Sequence, residues 1–132
     1  MNDRPVHSIQ LANGLRLALF DRSIQIAGDR YRIMVEAAIE IPVSLKWWGD
    51  TSPPRTPSIE EIRATLGDPV IFRVRRERNF IDQNEKSAVF QNLCDVLLAS
   101  ANYYAHPRFP ARFLLKSYAQ SNRQHAANPG SG

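Results

Sequence analysis

The chain has 132 residues, 43% of them hydrophobic and 23% charged, a composition that fits one domain with its own core and excludes bulk disorder. The positive net charge of +4 arises in the second half, where residues 69–132 hold 9 basic and 4 acidic side chains. This basic half suits either an anionic partner or a solvated surface that keeps the protein soluble.

The first two predicted strands form a hairpin. Residues 7–11 and 15–20 alternate apolar and polar side chains on either side of Asn-Gly at 13–14, which is a strong hairpin signal. A three-residue loop places Leu11 opposite Leu15 and gives its third position, where a left-handed conformation is needed, to glycine. A slip by one residue would turn every side chain to the other face. The length of the loop therefore determines which side chains of the hairpin are predicted to be buried.

The third predicted strand is the clearest element. Its alternate positions, which include Glu36 and Glu40, are predicted to face water, and Pro42 indicates an edge or a bulge near its end. The other face has an apolar residue at every second position over thirteen residues, and it is predicted to be buried. These apolar residues are Tyr31, Ile33, Val35, Ala37, Ile39, Ile41 and Val43.

An irregular loop follows at 46–57, because it contains three prolines and a glycine. It begins with Trp47 and Trp48, whose side chains would point in opposite directions at the end of a strand. One of them would seal the core and the other would contact a partner, and both are therefore candidate partner contacts. The alternative is that both fold back as a lid on the core. After the loop, a capping box at 58–61 predicts a short helix.

A fourth strand is predicted at 69–75. The alternation of its side chains allows it to pair antiparallel with the third strand, with Arg73 opposite Glu36 and Glu77 opposite Arg32. Each of these opposite-charge pairs would stabilise the sheet by up to about 1 kcal/mol.

The run 73–78 packs four arginines into six positions where the strand pattern gives way to a helix pattern. Once Arg73 is assigned to a structural pair, Arg75, Arg76 and Arg78 remain as a candidate site for an anion. A nearby helix N-terminus would favour phosphate, because its N–H groups are unpaired and it carries a partial positive charge. The alternative is a solvated strand face, which is the usual meaning of such a charge run.

Two helices complete the chain. A second capping box at 82–85 opens a main helix over about 83–104, and apolar residues cover most of its circumference. Such a helix is either central in the fold or shared with a partner. A last helix is predicted over about 110–121. We expect one domain over 1–121 and a flexible tail over 122–132.

The order of elements predicts an α+β fold. Consecutive strands followed by helices are typical of a small antiparallel sheet, here of about four strands, with an N-terminal hairpin and a long third strand. A short helix and the two C-terminal helices would cover one face of this sheet.

No residues suggest catalysis. The three histidines, His7, His106 and His125, share no metal-ligand spacing, and none of the phosphate-binding or nucleophile motifs occurs. Cys94 is the only cysteine, which excludes an intrachain disulfide and a CxxC motif. It lies on a mostly apolar helix, so we expect a buried and unreactive thiol. We therefore expect no catalytic residues, no metal and no cofactor.

These patterns favour a small, non-enzymatic binding module of a bacterial type. The N-terminus lacks a signal-peptide layout, and no apolar run approaches the roughly 20 residues that span a bilayer, so a cytoplasmic protein with no membrane partner is expected. The expected partner is another protein or a second copy that dimerises through the main or the last helix. The alternative is binding of nucleic acid or a phosphate ligand through the basic segment 73–78.

Overall fold

The computed structural model describes residues 4–49 and 57–127. Within these residues five antiparallel strands form one sheet, and the predicted α+β class is confirmed. Strand β4 lies at the centre, with β2 and β3 on one side and β5 on the other, and β1 pairs with β2. The elements are β1 (His7–Gln10), β2 (Arg16–Asp21), β3 (Ile24–Ala27), β4 (Arg30–Ile41), α1 (Ile59–Leu66), β5 (Val70–Asp82), α2 (Lys86–Leu98), α3 (Ala101–Tyr104) and α4 (Phe109–Ala127).

The predicted hairpin is confirmed in its loop length and its register. The N–H of Gly14 donates to the carbonyl of Leu11 at 3.0 Å, and Ile9 lies opposite Leu17. Gly14 has a φ of 92°, which an L-residue seldom adopts, so glycine is needed there. Leu11 and Leu15, which close the loop, are both buried.

Strand β3 was not predicted. Its four residues are all exposed, and it pairs only with the first residues of β4 through a turn at Gly28. Ile24 and Ile26 alternate with Gln25, but a run of four residues with no buried face is too short a signal to identify a strand.

A row of apolar side chains crosses the sheet on the side that the helices cover. Ile9 lies opposite Leu17, Leu17 opposite Ile39, and Ile39 opposite Phe72. Leu17 and Ile39 have no exposed surface. The ring of Phe72 contacts the helical layer, and its centroid lies 5.0 Å from that of Tyr104. This row joins four strands to the helices, and it is the centre of the core.

The main helix predicted over 83–104 is divided. Asp82 accepts from the N–H of Asn84 at 2.8 Å and caps a 3₁₀ turn, so α2 begins only at Lys86. α2 ends at Leu98, and α3 begins at Ala101 after a turn of two residues. The sequence has no glycine or proline at this break, so its pattern could not indicate it.

The last helix is longer than predicted. It runs to Ala127 rather than to about residue 121, since no glycine or proline occurs between 122 and 127. The predicted tail therefore falls partly on this helix and partly on residues 128–132, which lie outside the described residues. The middle of the predicted loop, residues 50–56, also lies outside them.

The predicted register between β4 and β5 is wrong by two residues. Arg75, not Arg73, lies opposite Glu36, and Glu77 lies opposite Met34. A slip of two residues keeps every side chain on its face, so the apolar pattern fits both registers equally well. The observed register is held at one end by Asp68, which accepts from the N–H of Val43 at 3.1 Å.

Strand β5 also extends to Asp82, well beyond the predicted end at 75. The arginine run therefore lies in the middle of a strand, and the junction with the helix comes after it.

Candidate ligand-binding groove on the open sheet face

The sheet face opposite the helices carries a groove of about 560 Å³, and we call this face the open face. Its floor is flat because small side chains lie side by side there. Ala18 lies opposite Ala38, and Ala38 lies opposite Arg73. The groove is lined by Gly14, Leu15, Arg16, Ala18, Phe20, Arg22, Glu36, Ala38, Glu40, Pro42, Lys46, Trp47, Ile71 and Arg73.

Larger side chains border the floor on both sides. On one side Phe20, Glu36 and Arg75 form a row across three strands. On the other side Glu40 lies opposite Ile71. Glu36 and Glu40 are four residues apart on β4, so about 13 Å separates the two borders.

The first border is held by an ion-pair cluster, which we call the Glu36 triad. Arg22 donates to Oε1 of Glu36 through Nε and lies within 3.2 Å of it through Nη2, and Arg75 donates to Oε2 through Nε at 2.8 Å. The guanidinium of Arg22 also lies 4.9 Å from the ring centroid of Phe20. Glu36 was predicted to face water, but it is only 2% exposed. It is buried on the open face because its own arginine partners and its strand neighbours cover it.

The triad changes the acidity of its carboxyl group. Burial alone raises the pKa of Glu36, but the hydrogen bonds and charges of Arg75 and Arg22 outweigh it. The pKa of Glu36 is therefore held below its ordinary value, and the carboxylate stays ionised in mild acid.

Replacing Glu36 with glutamine is expected to make the free energy of unfolding less dependent on pH in acid. A carboxyl whose pKa is lowered by folding contributes stability above its unfolded pKa, near 4.5, and loses it as the pH falls through the folded pKa. At about pH 7 the Glu36→Gln variant should be less stable by about 1–2 kcal/mol, a modest figure because both arginines are partly solvated. This difference should shrink as the pH falls below the unfolded pKa and through the lower folded pKa, in urea unfolding followed by circular dichroism. Parallel profiles for the two proteins would contradict the ion-pair assignment.

The second border is formed by the 3₁₀ turn Leu45–Trp48. The Nε1–H of Trp47 donates to the carbonyl of Pro42 at 2.7 Å, which fixes the indole against the end of β4. The ammonium of Lys46 lies 4.7 Å from the ring centroid of Trp47. This contact keeps a positive charge beside the groove.

Two arginines of the groove form no ion pair with any described residue. Arg16 on β2 and Arg73 on β5 have no carboxylate partner within that part of the chain, and Glu40 of the same lining is likewise unpaired there. The two arginines lie on either side of β4 and two residues apart along it, so their backbones are separated by about 12 Å. The lining contains four basic side chains and two acidic ones, so the groove has an excess of positive charge.

No family model, curated protein or solved structure matches this chain. The chemistry of the groove must therefore be inferred from its own residues.

The predicted anion site is not gathered into one place. Arg75 is bound to Glu36 on the open face. Arg76 and Arg78 lie on the other face, opposite Val35 and Ile33, although both are exposed. Arg73, which the sequence assigned to a structural pair, is the arginine of this run that lines the groove.

The two tryptophans lie in the 3₁₀ turn, not at the end of a strand. Both are half-buried and pack against the edge of the core. Trp47 also lines the groove, so it lies beside any ligand that enters. Contact of either ring with a partner protein stays a prediction.

The described residues contain no group of three or more His, Cys, Asp or Glu that could hold a metal ion. Cys94 is buried, and burial raises the pKa of its thiol with smaller contributions from Asp95 and Asp21. His106 shapes the turn before α4, where its Nδ1 accepts from the N–H of Arg108 at 3.0 Å. Over residues 4–49 and 57–127, no helix is long and apolar enough to cross a membrane.

Sequence reasoning missed several residues of the groove, among them Arg16, Ala18 and Phe20. A signal was present, because these three alternate with the buried Leu17 and Leu19 and so must share the opposite face. What the sequence lacked was the pairing of β2 with β4, which brings Ala18 beside Ala38.

Proposed function

We propose that the protein is a non-enzymatic binding module whose groove holds an anionic ligand with a small apolar body. The observation that carries the proposal is the pair Arg16 and Arg73, which form no ion pair with a described residue and flank a floor of alanines. A volume of about 560 Å³ lies within the usual range for small-ligand sites. Such sites combine apolar walls with a few convergent polar groups, as this groove does.

The floor and the borders have different roles in this proposal. Ala18, Ala38 and Ile71 offer apolar surface to the body of the ligand. Arg16 and Arg73 would donate charge-assisted hydrogen bonds to its anionic group. The Glu36 triad holds Arg22, which lines the groove, in a fixed position, so this group loses little freedom when a ligand binds.

Nucleic acid is a less favourable ligand for this groove. Single-stranded chains bind by stacking bases on aromatic rings. Here Arg22 already stacks on Phe20, and Lys46 stacks on Trp47. One face of each ring is therefore covered by a cation, which reduces the aromatic surface available for stacking bases.

Self-association through α2 or α4 is the second candidate. Val96 on α2 is 44% exposed and Tyr103 on α3 is 62% exposed, which leaves some apolar surface for a second copy. However, Leu93, Cys94 and Leu97 of α2 are buried in the protein's own core. The apolar character of α2 is thus largely accounted for without a partner, which is why the groove is preferred.

Replacing Arg16 and Arg73 together with glutamine is expected to weaken binding of anilinonaphthalene sulfonate, a fluorescent dye that joins an anion to an apolar body. The loss should be at least about tenfold, because each charge-assisted hydrogen bond contributes about 1.5–3 kcal/mol. Fluorescence titration gives the dissociation constants.

The matched control is Arg76→Gln with Arg78→Gln, which removes the same charge from the other face of the sheet. This control should bind the dye nearly as well as the unmodified protein. Neutral N-phenylnaphthylamine, which lacks the sulfonate, should bind equally to all three proteins. Equal losses in the two double variants would show a general charge effect and would refute the groove as the site.

A further inference from the structure

Strand β5 has a long outer edge that no described element uses. It pairs with β4 along one side only, whereas the opposite edge of the sheet is formed by β1 and β3, which have four residues each. Within residues 4–49 and 57–127, no backbone hydrogen bond joins residues 70–82 to anything outside the sheet. One carbonyl of β5, that of Arg75, accepts from the side chain of Arg76 at 3.0 Å. A row of unpaired N–H and C=O groups is a template for another strand.

The charge of this edge selects what can pair with it. β5 carries four arginines against two carboxylates. Arg73, Arg76 and Arg78 form no ion pair with any described residue, whereas Glu77 lies near Arg32 and Asp82 is bound to Arg30. Two copies of β5 side by side would bring their net positive charges together, which disfavours self-pairing. An acidic strand beside β5 would instead be attracted by the net positive charge of this edge.

Phe80 lies near the C-terminal end of β5. It lies in a bulge at which Asn79 and Phe80 interrupt the pairing with β4, and its φ is 58°. A left-handed conformation is unfavourable for an aromatic residue. The ring is nevertheless 72% exposed, so the bulge presents an aromatic surface at the end of the regular edge. The regular edge is therefore residues 70–78.

We infer that the outer edge of β5, residues 70–78, is a docking site for an extended acidic segment of a partner protein, which adds to the sheet as a further strand. Main-chain hydrogen bonds would provide the affinity. Acidic side chains on one face of the segment would approach Arg73, and those on the other face would approach Arg76 and Arg78. This inference shares Arg73 with the groove, but it needs neither Arg16 nor the alanine floor.

The test uses a capped nonapeptide in which pairs of glutamates alternate with pairs of threonines, so that both faces of the strand are acidic, titrated by fluorescence anisotropy. Two further peptides carry N-methyl groups at either the odd or the even positions. Alternate N–H groups of a strand point to opposite sides, so one methylated set should lose at least about tenfold in affinity and the other should stay within about threefold.

Protein variants separate this edge from the groove. Arg76→Gln with Arg78→Gln should weaken the peptide at least about tenfold. Arg16→Gln, which alters the groove on β2 and away from β5, should leave peptide binding unchanged. Circular dichroism verifies that each variant is folded.

Four outcomes would overturn the inference. Equal affinity of both methylated peptides would mean that charge alone holds the peptide. Equal binding of a peptide with lysine in place of glutamate would remove the acidic preference. Absence of peptide binding at about millimolar concentration, or tighter binding of a single-stranded oligonucleotide that depends on Arg76 and Arg78, would exclude an acidic strand as the partner.

Discussion

Tryptophan in place of Ala38 is expected to abolish binding of anilinonaphthalene sulfonate. Ala38 lies at the centre of the groove floor, between Ala18 and Arg73. An indole at this position would occupy the space above the floor and would separate the ligand from both arginines. The dissociation constant should rise at least about a hundredfold, which corresponds to about 2.8 kcal/mol.

The same substitution should leave the fold intact. Tryptophan is favourable in strands, and the side chain at position 38 points away from the helices. The free energy of unfolding should therefore change by less than about 1 kcal/mol. Ala27→Trp, at an exposed position of β3, is the matched control and should bind the dye normally. Retained affinity in Ala38→Trp would place the dye elsewhere on the protein.

Alanine in place of Ile39 is expected to give the largest loss of stability. Ile39 is completely buried and lies between Leu17 and Phe72 in the row that crosses the sheet. Removing three carbons there leaves a cavity that the flanking strands cannot close. The cost should be about 3 kcal/mol, within the range of about 2–5 kcal/mol for such changes. Most small domains have only about 5–15 kcal/mol of stability, so the variant should unfold at much lower urea concentration.

The adjacent residue gives a control on the other face. Glu40 is exposed and forms no ion pair with a described residue, so Glu40→Ala should change the free energy of unfolding by less than about 0.5 kcal/mol. Ile39→Val should lie between the two, at about 1 kcal/mol. If Ile39→Ala cost no more than Glu40→Ala, the row across the sheet could not be the centre of the core.

The sequence predicted what depends on local chemistry. Asn-Gly at 13–14 specified a loop, and the apolar residues beside it fixed the register of β1 and β2, as the opposition of Ile9 and Leu17 confirms. The alternation along β4 likewise identified a buried face. In each case the alternative register or face would have exposed apolar side chains to water, so the alternation of the sequence excluded it.

Pairing between distant segments was beyond the sequence. Two registers of β5 against β4 bury the same apolar side chains, and the pattern could not distinguish Arg73 from Arg75 as the partner of Glu36. The groove depends on that pairing and on the pairing of β2 with β4. Its residues could therefore be assigned to a face of a strand but not to one another.

The position of β5 has a consequence for the order of folding. β2 and β4 are close along the chain, whereas β5 reaches β4 only across the connection that contains α1. Closing a longer connection costs more chain entropy, so contacts between β4 and β5 are expected to form late. Ile71 and Arg73 belong to β5, so they line the groove only after β5 has paired with β4. Before that, the groove lacks its border on the side of β5. The proposed binding site and the pairing of β5 are thus expected to form in the same step.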